Sequence, residues 1–439
     1  MSKSLYKNSM YFILYRVINV VYPLITATYV SRILKPSGVG EVSVAQTVVT
    51  FLVACALLGI PSYGVREISR IKKQEELNRF FSELLITNFI STSIIAICYF
   101  NIINFVDLKV NRTLYNIEGI IILLNVINLD WFYQGKEEFK YITIRSCVVK
   151  ILSIFAIFIF VKDESDVCIY ALIFVMAYVG NYIFNAIHLR KFIKITFLGI
   201  NIKKHFKYII ILAITCISNE IYVTIDSIML GVITNNAQVG YYSNAMKLIK
   251  ILVNVCTAMG TALLPRLSKL KYESNDTKFN DIINKAIMIL LWITIPCTIG
   301  IWLVSNDLVS ILFGREFLPS GDILKILSLL AIFRSFSNLS LQILICTNKE
   351  SKTTIVYFSG MIINILLNLL LINKFGAIGA ATASIISEVY IFVKLMYYAR
   401  KNFKVNIEKN FYISMILSLI FLVISVRIIQ TLKISVFIN

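Results

Sequence analysis

Charge is scarce in this chain of 439 residues. Only 15% of its residues are charged and 58% are hydrophobic, with a mean hydropathy of +0.79. A soluble protein carries about 25% charged residues, so a set of soluble domains with polar surfaces is excluded. Histidine is almost absent: the two present, His188 and His205, both lie outside the long apolar segments. That removes the usual general base of a membrane acyltransferase. There is no C-x-x-C, and the eight cysteines all fall in apolar stretches, where they serve as small hydrophobes rather than disulfide or metal partners. There is no Walker A motif, so ATP hydrolysis by this chain is not expected. No small-residue cleavage site follows Lys3 and Lys7, and the first apolar segment is expected to remain in the membrane.

What the chain has instead is apolar segments long enough to cross about 30 Å of hydrocarbon. Thirteen are expected, at approximately 10–30, 42–61, 80–105, 114–133, 141–161, 167–187, 208–231, 241–264, 286–303, 321–347, 353–372, 377–398 and 411–429. The expected fold is an all-α polytopic membrane protein. Its organisation reads as a six-helix lobe over 1–187, a basic cytoplasmic linker over 188–207, a second six-helix lobe over 208–398, and a C-terminal extension over 399–439 with a thirteenth helix. The linker, HLRKFIKITFLGINIKKHFK, is basic and partly amphipathic. It is expected either to lie along the anionic inner leaflet or to act as a topogenic positive loop.

The 43 Lys+Arg outnumber the 24 Asp+Glu, for a net charge of +19. With the N-terminus placed in the cytoplasm, 26 of the cations fall in inside segments, 8 in outside segments and 9 within spans. The excess is therefore mostly a positive-inside signal, and nucleic acid is not an expected partner. Every outside loop is short, the longest running from about Val304 to Ser320. A membrane glycan polymerase, which normally needs a large external loop, is disfavoured.

The two lobes share a trace of repetition. Residues 39–45 read VGEVSVA and residues 239–245 read VGYYSNA, with Val39/Val239, Gly40/Gly240, Ser43/Ser243 and Ala45/Ala245 identical. Both open the second helix of their half. Six spans per half keep the halves in the same orientation, related by an axis along the membrane normal. Two bundles facing a central cavity, working by alternating access, is the expected arrangement.

A charge at mid-membrane costs about 2.5–3.5 kcal/mol, so the nine intramembrane cations require an explanation. Arg145, Lys325 and Arg427 lie near span ends and are expected to snorkel. Lys247 and Lys250 sit about 9 and 14 Å into their helix. With Asn244 and Asn254 they form a polar stripe of about 120°. Arg16, Asn19, Pro23 and Thr26 form another on the first helix. Arg334, Asn338 and Gln342 form one on the tenth, and Asn219, Tyr222 and Asp226 line a face of the seventh. Interhelical ion pairs with Asp130, Glu220, Asp226 and Glu388 would absorb some of the cations. Too few acids are available to absorb all of them. A cationic cavity that takes an anion is the alternative, and Arg and Lys suit phosphate or pyrophosphate.

Several stretches resemble one family. TYVSRILKPSGVGEVSVAQTVV, LLGIPSYGVREISR, LDWFYQGKEEFKYITIR, IDSIMLGVITNNAQVGYYSNAMKLIKIL, LLPRLSKL, LFGREFLPSGDILKILSLL and FGAIGAATASIISE are similar, in order, to O-antigen and capsular polysaccharide repeat-unit flippases of the multidrug/oligosaccharidyl-lipid/polysaccharide exporter superfamily. The resemblance implies two six-helix lobes around a central cavity. It also implies translocation of undecaprenyl-pyrophosphate-linked oligosaccharide from the cytoplasmic to the outer leaflet of a bacterial cytoplasmic membrane. Arg32, Arg66, Asp130, Asp226, Tyr242, Lys247 and Arg266 fall within the matching motifs, with Arg32, Arg66 and Arg266 at span ends as gating or topology residues.

Under that resemblance Arg16, Lys247, Lys250 and Arg334 would neutralise the pyrophosphate. Asn19, Asn244, Asn254, Asn338 and Tyr242 would hydrogen-bond the glycan. Asp130, Glu220, Asp226 and Glu388 serve either coupling to a proton or Na⁺ or pairing with the bases, and both readings stand. No enzymatic activity and no bound cofactor are expected. The expected partners are lipid-linked oligosaccharide, membrane lipids and other polysaccharide-assembly proteins. The rivals are a peptidoglycan-precursor flippase of the same fold and a drug/cation antiporter, whose cavity would be acidic.

Overall fold

A computed structural model describes the backbone of residues 2–107, 110–273, 275–347 and 349–431. Side chains are described over the same residues except 2–9, 12, 13, 15–17, 20, 215, 219, 259, 261, 262, 265 and 350. The chain is all-α: no strand occurs among the described residues. That is the outcome expected where no water is present to satisfy a free backbone N–H or C=O. Nine helices among the described residues are long and apolar enough to cross a membrane, or ten if the two parts of Lys203–Ile233 count as one span.

The chain divides into two compact units, Met1–Ile228 and Met229–Asn439. The first holds α1 (Ser2–Leu57), α2 (Ile60–Ile68), α3 (Gln74–Phe105), α4 (Arg112–Leu124), α5 (Asp130–Gly135), α6 (Phe139–Phe160) and α7 (Val167–Leu189). It also takes most of α8 (Lys203–Ile233). The second holds α9 (Asn236–Tyr272), α10 (Asp276–Phe313), α11 (Pro319–Ser328), α12 (Leu330–Cys346), α13 (Glu350–Ala399) and α14 (Lys409–Thr431). The division falls inside α8. Its early residues Ile209 and Leu212 pack with Ile60, Phe81, Trp131 and Phe132 in the hydrophobic cluster of the first unit.

Two of the longest helices are interrupted where the hydropathy pattern expects a loop. Lys35 interrupts α1 at φ 58°, ψ 175°. Pro36 follows it, and a proline disfavours the α conformation at the residue before it. Gly376 interrupts α13 at φ 55°, ψ −130°. Each helix is therefore two segments, matching the expected first and second spans and the eleventh and twelfth. The helix after Gly376 is capped by a side chain from elsewhere in its unit: Gln238 Oε1 accepts from Ala377 N at 2.9 Å.

The two units pin their sixth-span exits in the same way. In the first, the non-helical segment after α7 runs along α3. Gln74 Nε2 donates to the Phe192 carbonyl at 2.6 Å, and Asn78 and Ser82 accept from the backbone N–H groups of Lys194 and Thr196. Glu83 closes the strap, accepting from Asn201 N at 2.8 Å, Lys204 Nζ at 3.0 Å and His205 Nε2 at 2.7 Å. In the second unit the segment between α13 and α14 runs along α10. Asn280 accepts from Lys404 N at 2.9 Å, and Asn284 accepts from Asn406 N at 3.0 Å. Residues one helical turn apart thus replace the hydrogen bonds that a non-helical backbone loses. The basic linker is held on the protein by these contacts. α14 packs on α10 and has no buried residue, as a peripheral thirteenth span would.

Gly376→Ala is expected to destabilise the protein by about 1–3 kcal/mol, because an L side chain is strained at this backbone conformation. The added Cβ would also lie 2.7 Å from Gln238 Oε1. Thermal unfolding in detergent checks this, with Gly300→Ala as the reference, since nothing lies within 4 Å of a Cβ there.

Candidate functional site

In the first unit the buried aromatic residues Trp131, Phe132 and Tyr133 anchor α5. They set Asp130, its first residue, against α6 and α7. Arg145 of α6 donates from Nη2 to Asp130 Oδ1 at 2.9 Å and from Nε to Asn181 Oδ1 at 2.9 Å, and from Nη1 to Asn185 Oδ1. Asn185 Nδ2 returns to Asp130 Oδ1 at 2.6 Å. The guanidinium lies 5.7 Å from the Tyr141 ring centre. Arg145 was expected to snorkel; instead its side chain is 4% exposed and turns inward, because a carboxylate and two amides meet its donors there. Asp130 is thereby a charge-pairing residue.

Further along α6, Lys150 donates from Nζ to Asn19 Oδ1 at 2.5 Å and lies 5.2 Å from the Tyr22 ring centre. Tyr22 in turn accepts from Ser153 Oγ at 3.0 Å. The partners of this ammonium are neutral. The sequence offered a signal for it: Ser146, Lys150 and Ser153 fall at i, i+4 and i+7, one polar stripe of α6. The side chains of Arg16 and Asn219 lie outside the described residues. Arg32 is exposed and Asp226 is buried. Glu220 lies near enough to Cys55 for its charge to be felt there.

Arg66 sits at the end of α2, 2.8 Å from Glu67, with its guanidinium over the rings of Tyr63 and Tyr208 at 5.4 and 6.0 Å. Beside it is a cavity of about 710 Å³ lined by Tyr63, Lys73, Arg79, Lys204 and His205 together with Glu67 and others. Burial and the neighbouring Glu67 push the Tyr63 phenol up.

In the second unit, α9 carries the cationic stripe. Lys247 Nζ donates to Asn244 Oδ1 at 3.1 Å, and Asn244 is fully buried. Lys250 and Asn254 are exposed, and Lys250 is close enough to Lys247 for the like charges to oppose each other. Tyr242 is buried and meets Ser384 Oγ at 3.2 Å. On α12, Arg334 Nε donates to Glu388 Oε2 at 3.1 Å, with Glu388 1% exposed. Asn338 packs against α9: its Oδ1 lies 2.5 Å from where a Cβ on Gly260 would be. Asn338 Oδ1 and Gln342 Oε1 are buried without a hydrogen-bond partner among the described residues. Arg266 is exposed. The structure therefore brings Lys247 together with Asn244, Arg334 with Glu388, and Asp130 with the unexpected Arg145.

A bundle of apolar helices with charged side chains held inside it defines a membrane transporter class, and comparison with known proteins narrows it. The polysaccharide biosynthesis protein family matches residues 5–271, and the MatE family matches residues 212–370. The chain belongs to the polysaccharide biosynthesis protein family. It is 25% identical over 397 residues to a candidate O-antigen transporter of Shigella dysenteriae, covering 88% of this chain and 97% of that one. Its fold is similar to that of the lipid II flippase MurJ in an inward closed conformation. The TM-score is 0.76 at 16% identity, over 98% of this chain and 93% of that one. It is also similar to an inward-facing multidrug resistance MATE family transporter, with a TM-score of 0.69 at 14% identity over 89% and 97% of the two chains.

Breaking the Arg334–Glu388 pair from one side takes the guanidinium away from a buried carboxylate. Arg334→Met is expected to lower stability by about 2 kcal/mol, while Arg334→Met with Glu388→Gln recovers most of the loss. Thermal unfolding of the single and double variants checks the coupling.

Proposed function

We propose that the protein moves an undecaprenyl-pyrophosphate-linked oligosaccharide from the cytoplasmic to the outer leaflet of a bacterial cytoplasmic membrane. Its N-terminus lies in the cytoplasm, and the glycan is delivered for polysaccharide assembly. The observation that carries this reading is how the charges are met. Asp130 and Glu388 are met by Arg145 and Arg334. Lys150 and Lys247 are held on the neutral amides of Asn19 and Asn244. Cations left on neutral partners inside a membrane attract an anion, and a diphosphate is a compact anion of the right kind. The same arrangement disfavours a cationic drug as cargo.

Lys247 of α9 answers the charge of the headgroup. Asn and Tyr side chains hydrogen-bond the sugar, and the lipid chain remains in the bilayer. The likeness to a candidate O-antigen transporter over almost its whole length supports a repeat-unit substrate, and the fold shared with the lipid II flippase supports movement of a lipid-linked headgroup. The membrane potential, worth about 2.3 kcal/mol per charge per 100 mV, favours outward movement of an anion.

The test is leaflet translocation of lipid-linked glycan in a strain lacking this chain, restored by the wild-type gene. Lys247→Ala and Arg16→Ala, at normal expression, are each expected to slow translocation by about tenfold or more, the loss of one charge-assisted contact. Undiminished export by both variants would defeat the cationic-site reading.

A further inference from the structure

The first unit carries another cavity, on its surface between α6 and α7, that the proposed transport does not use. Its volume is about 420 Å³, within the range of about 300–1,000 Å³ that small-molecule sites occupy. Its walls are apolar: Ile144 and Val148 of α6 and Phe184 of α7, each half exposed. Ile144 and Val148 belong to a stripe that continues through Ile151, Phe155 and Ile159, all exposed. Exposed apolar side chains at this helical spacing along a span face lipid chains. The groove therefore opens to the bilayer.

One end of the groove is polar. Lys140 lies one helical turn before Ile144 on the same face, and His188 lies one turn after Phe184. Both stand at the helix ends beside the basic strap. The His188 ring stacks on Tyr141, with 4.0 Å between ring centres and 14° between planes. The Tyr141 hydroxyl donates to the Phe184 carbonyl at 2.7 Å, which ties α6 to α7 at this point. Lys191 is near enough to His188 for its charge to be felt there. Arg145 also lines the groove, and its charge is met by Asp130. Glu138 is the carboxylate among the lining residues, and the exposed ammonium groups of Lys140 and Lys191 outnumber it.

That order of features matches one ligand. Phosphate alone would find the ammonium groups and leave the apolar walls uncovered. A hydrocarbon chain alone would leave the cations unanswered. An anionic phospholipid supplies both at the right ends, and basic pockets between transmembrane helices are sites of that kind. An unfilled slot facing the bilayer would forfeit the dispersion contacts that a chain makes. The cargo headgroup is met elsewhere: Lys150 lies about 200° around α6 from Val148, on the face that meets Asn19.

We propose that this groove is a binding site for an anionic phospholipid. One acyl chain lies along Ile144, Val148 and Phe184, and the phosphodiester sits on Lys140 and Lys191. The ligand is a bilayer lipid of the leaflet that the strap borders, distinct from the cargo. Contact with Tyr141 lets it brace the pairing of α6 with α7 that holds Arg145 on Asp130, Asn181 and Asn185.

The test places the full chain in vesicles of phosphatidylglycerol and phosphatidylcholine in equal amounts. Native mass spectrometry of the protein released into detergent then reads which lipid it keeps. The wild type is expected to retain phosphatidylglycerol over phosphatidylcholine by about tenfold or more, since each lysine near a phosphate contributes a factor of about five. Lys140→Gln with Lys191→Gln is expected to bring that preference close to one. Val148→Trp, which fills the slot and leaves the cations, is expected to lower retention of both lipids. Equal retention of the two lipids by the wild type overturns the proposal, and so does retention that both variants leave unaltered. Displacement of the phosphatidylglycerol by a polyprenyl diphosphate also overturns it, because the groove would then belong to the cargo.

Discussion

The structure depends on one constraint, the cost of leaving a polar group unmet in hydrocarbon. For the backbone the constraint produces helices, and it dictates how they end. Where α13 breaks at Gly376, the amide of Gln238 caps the restart of the helix. Where the chain leaves the membrane after α7, the side chains of Gln74, Asn78 and Ser82 bond the backbone that helix geometry no longer serves. The second unit solves the same problem with Asn280 and Asn284. Amides suit this work because each offers a donor and an acceptor without adding charge.

Applied to side chains, the same constraint sorts the ionisable groups. Arg145 is drawn inward by Asp130 and two asparagines, against the tendency of a long cationic side chain near a span end to reach for water. Arg334 is drawn to Glu388. These pairs are neutral as units, and their energetic role is to cancel a cost rather than to add stability. Lys150 and Lys247 escape that cancellation, each held on a neutral amide. An ionisable residue inside a membrane that keeps its cost is a candidate functional residue, which is why the proposed function rests on these two lysines rather than on the paired charges.

Much of the architecture was legible in the chain. Hydropathy marks the helices and both interruptions, because Lys35-Pro36 and Phe375-Gly376 are turn signals between apolar runs. The polar stripe of Asn244 and Lys247 was legible from helical spacing alone, since both partners lie on one helix. Contacts between helices were not. Nothing in the spacing of α6 says that Arg145 meets Asn181 and Asn185 of α7, because a 3.6-residue period locates a face and not its neighbour. The strap on α3 was hidden for a related reason. Its bonds join side chains to backbone N–H groups, which every residue but proline carries, so the linker shows only its basic composition.

The internal repeat separates scaffold from function. Val39, Gly40 and Ala45 match Val239, Gly240 and Ala245, and all six are buried. These positions fix close packing where a helix begins, and both units keep them. The stripe that follows in the second unit is Asn244, Lys247, Lys250 and Asn254. At the same offset the first unit has Val44, Thr47, Thr50 and Ala54. The fold is therefore compatible with an uncharged version of this helix, and the four polar positions of α9 are not required to build it. A cost of about 2.5–3.5 kcal/mol for each mid-membrane lysine, carried by one copy of a repeat and absent from the other, is not explained by architecture. The proposed flippase function assigns that cost to an anion met by Lys247 and Lys250 of α9.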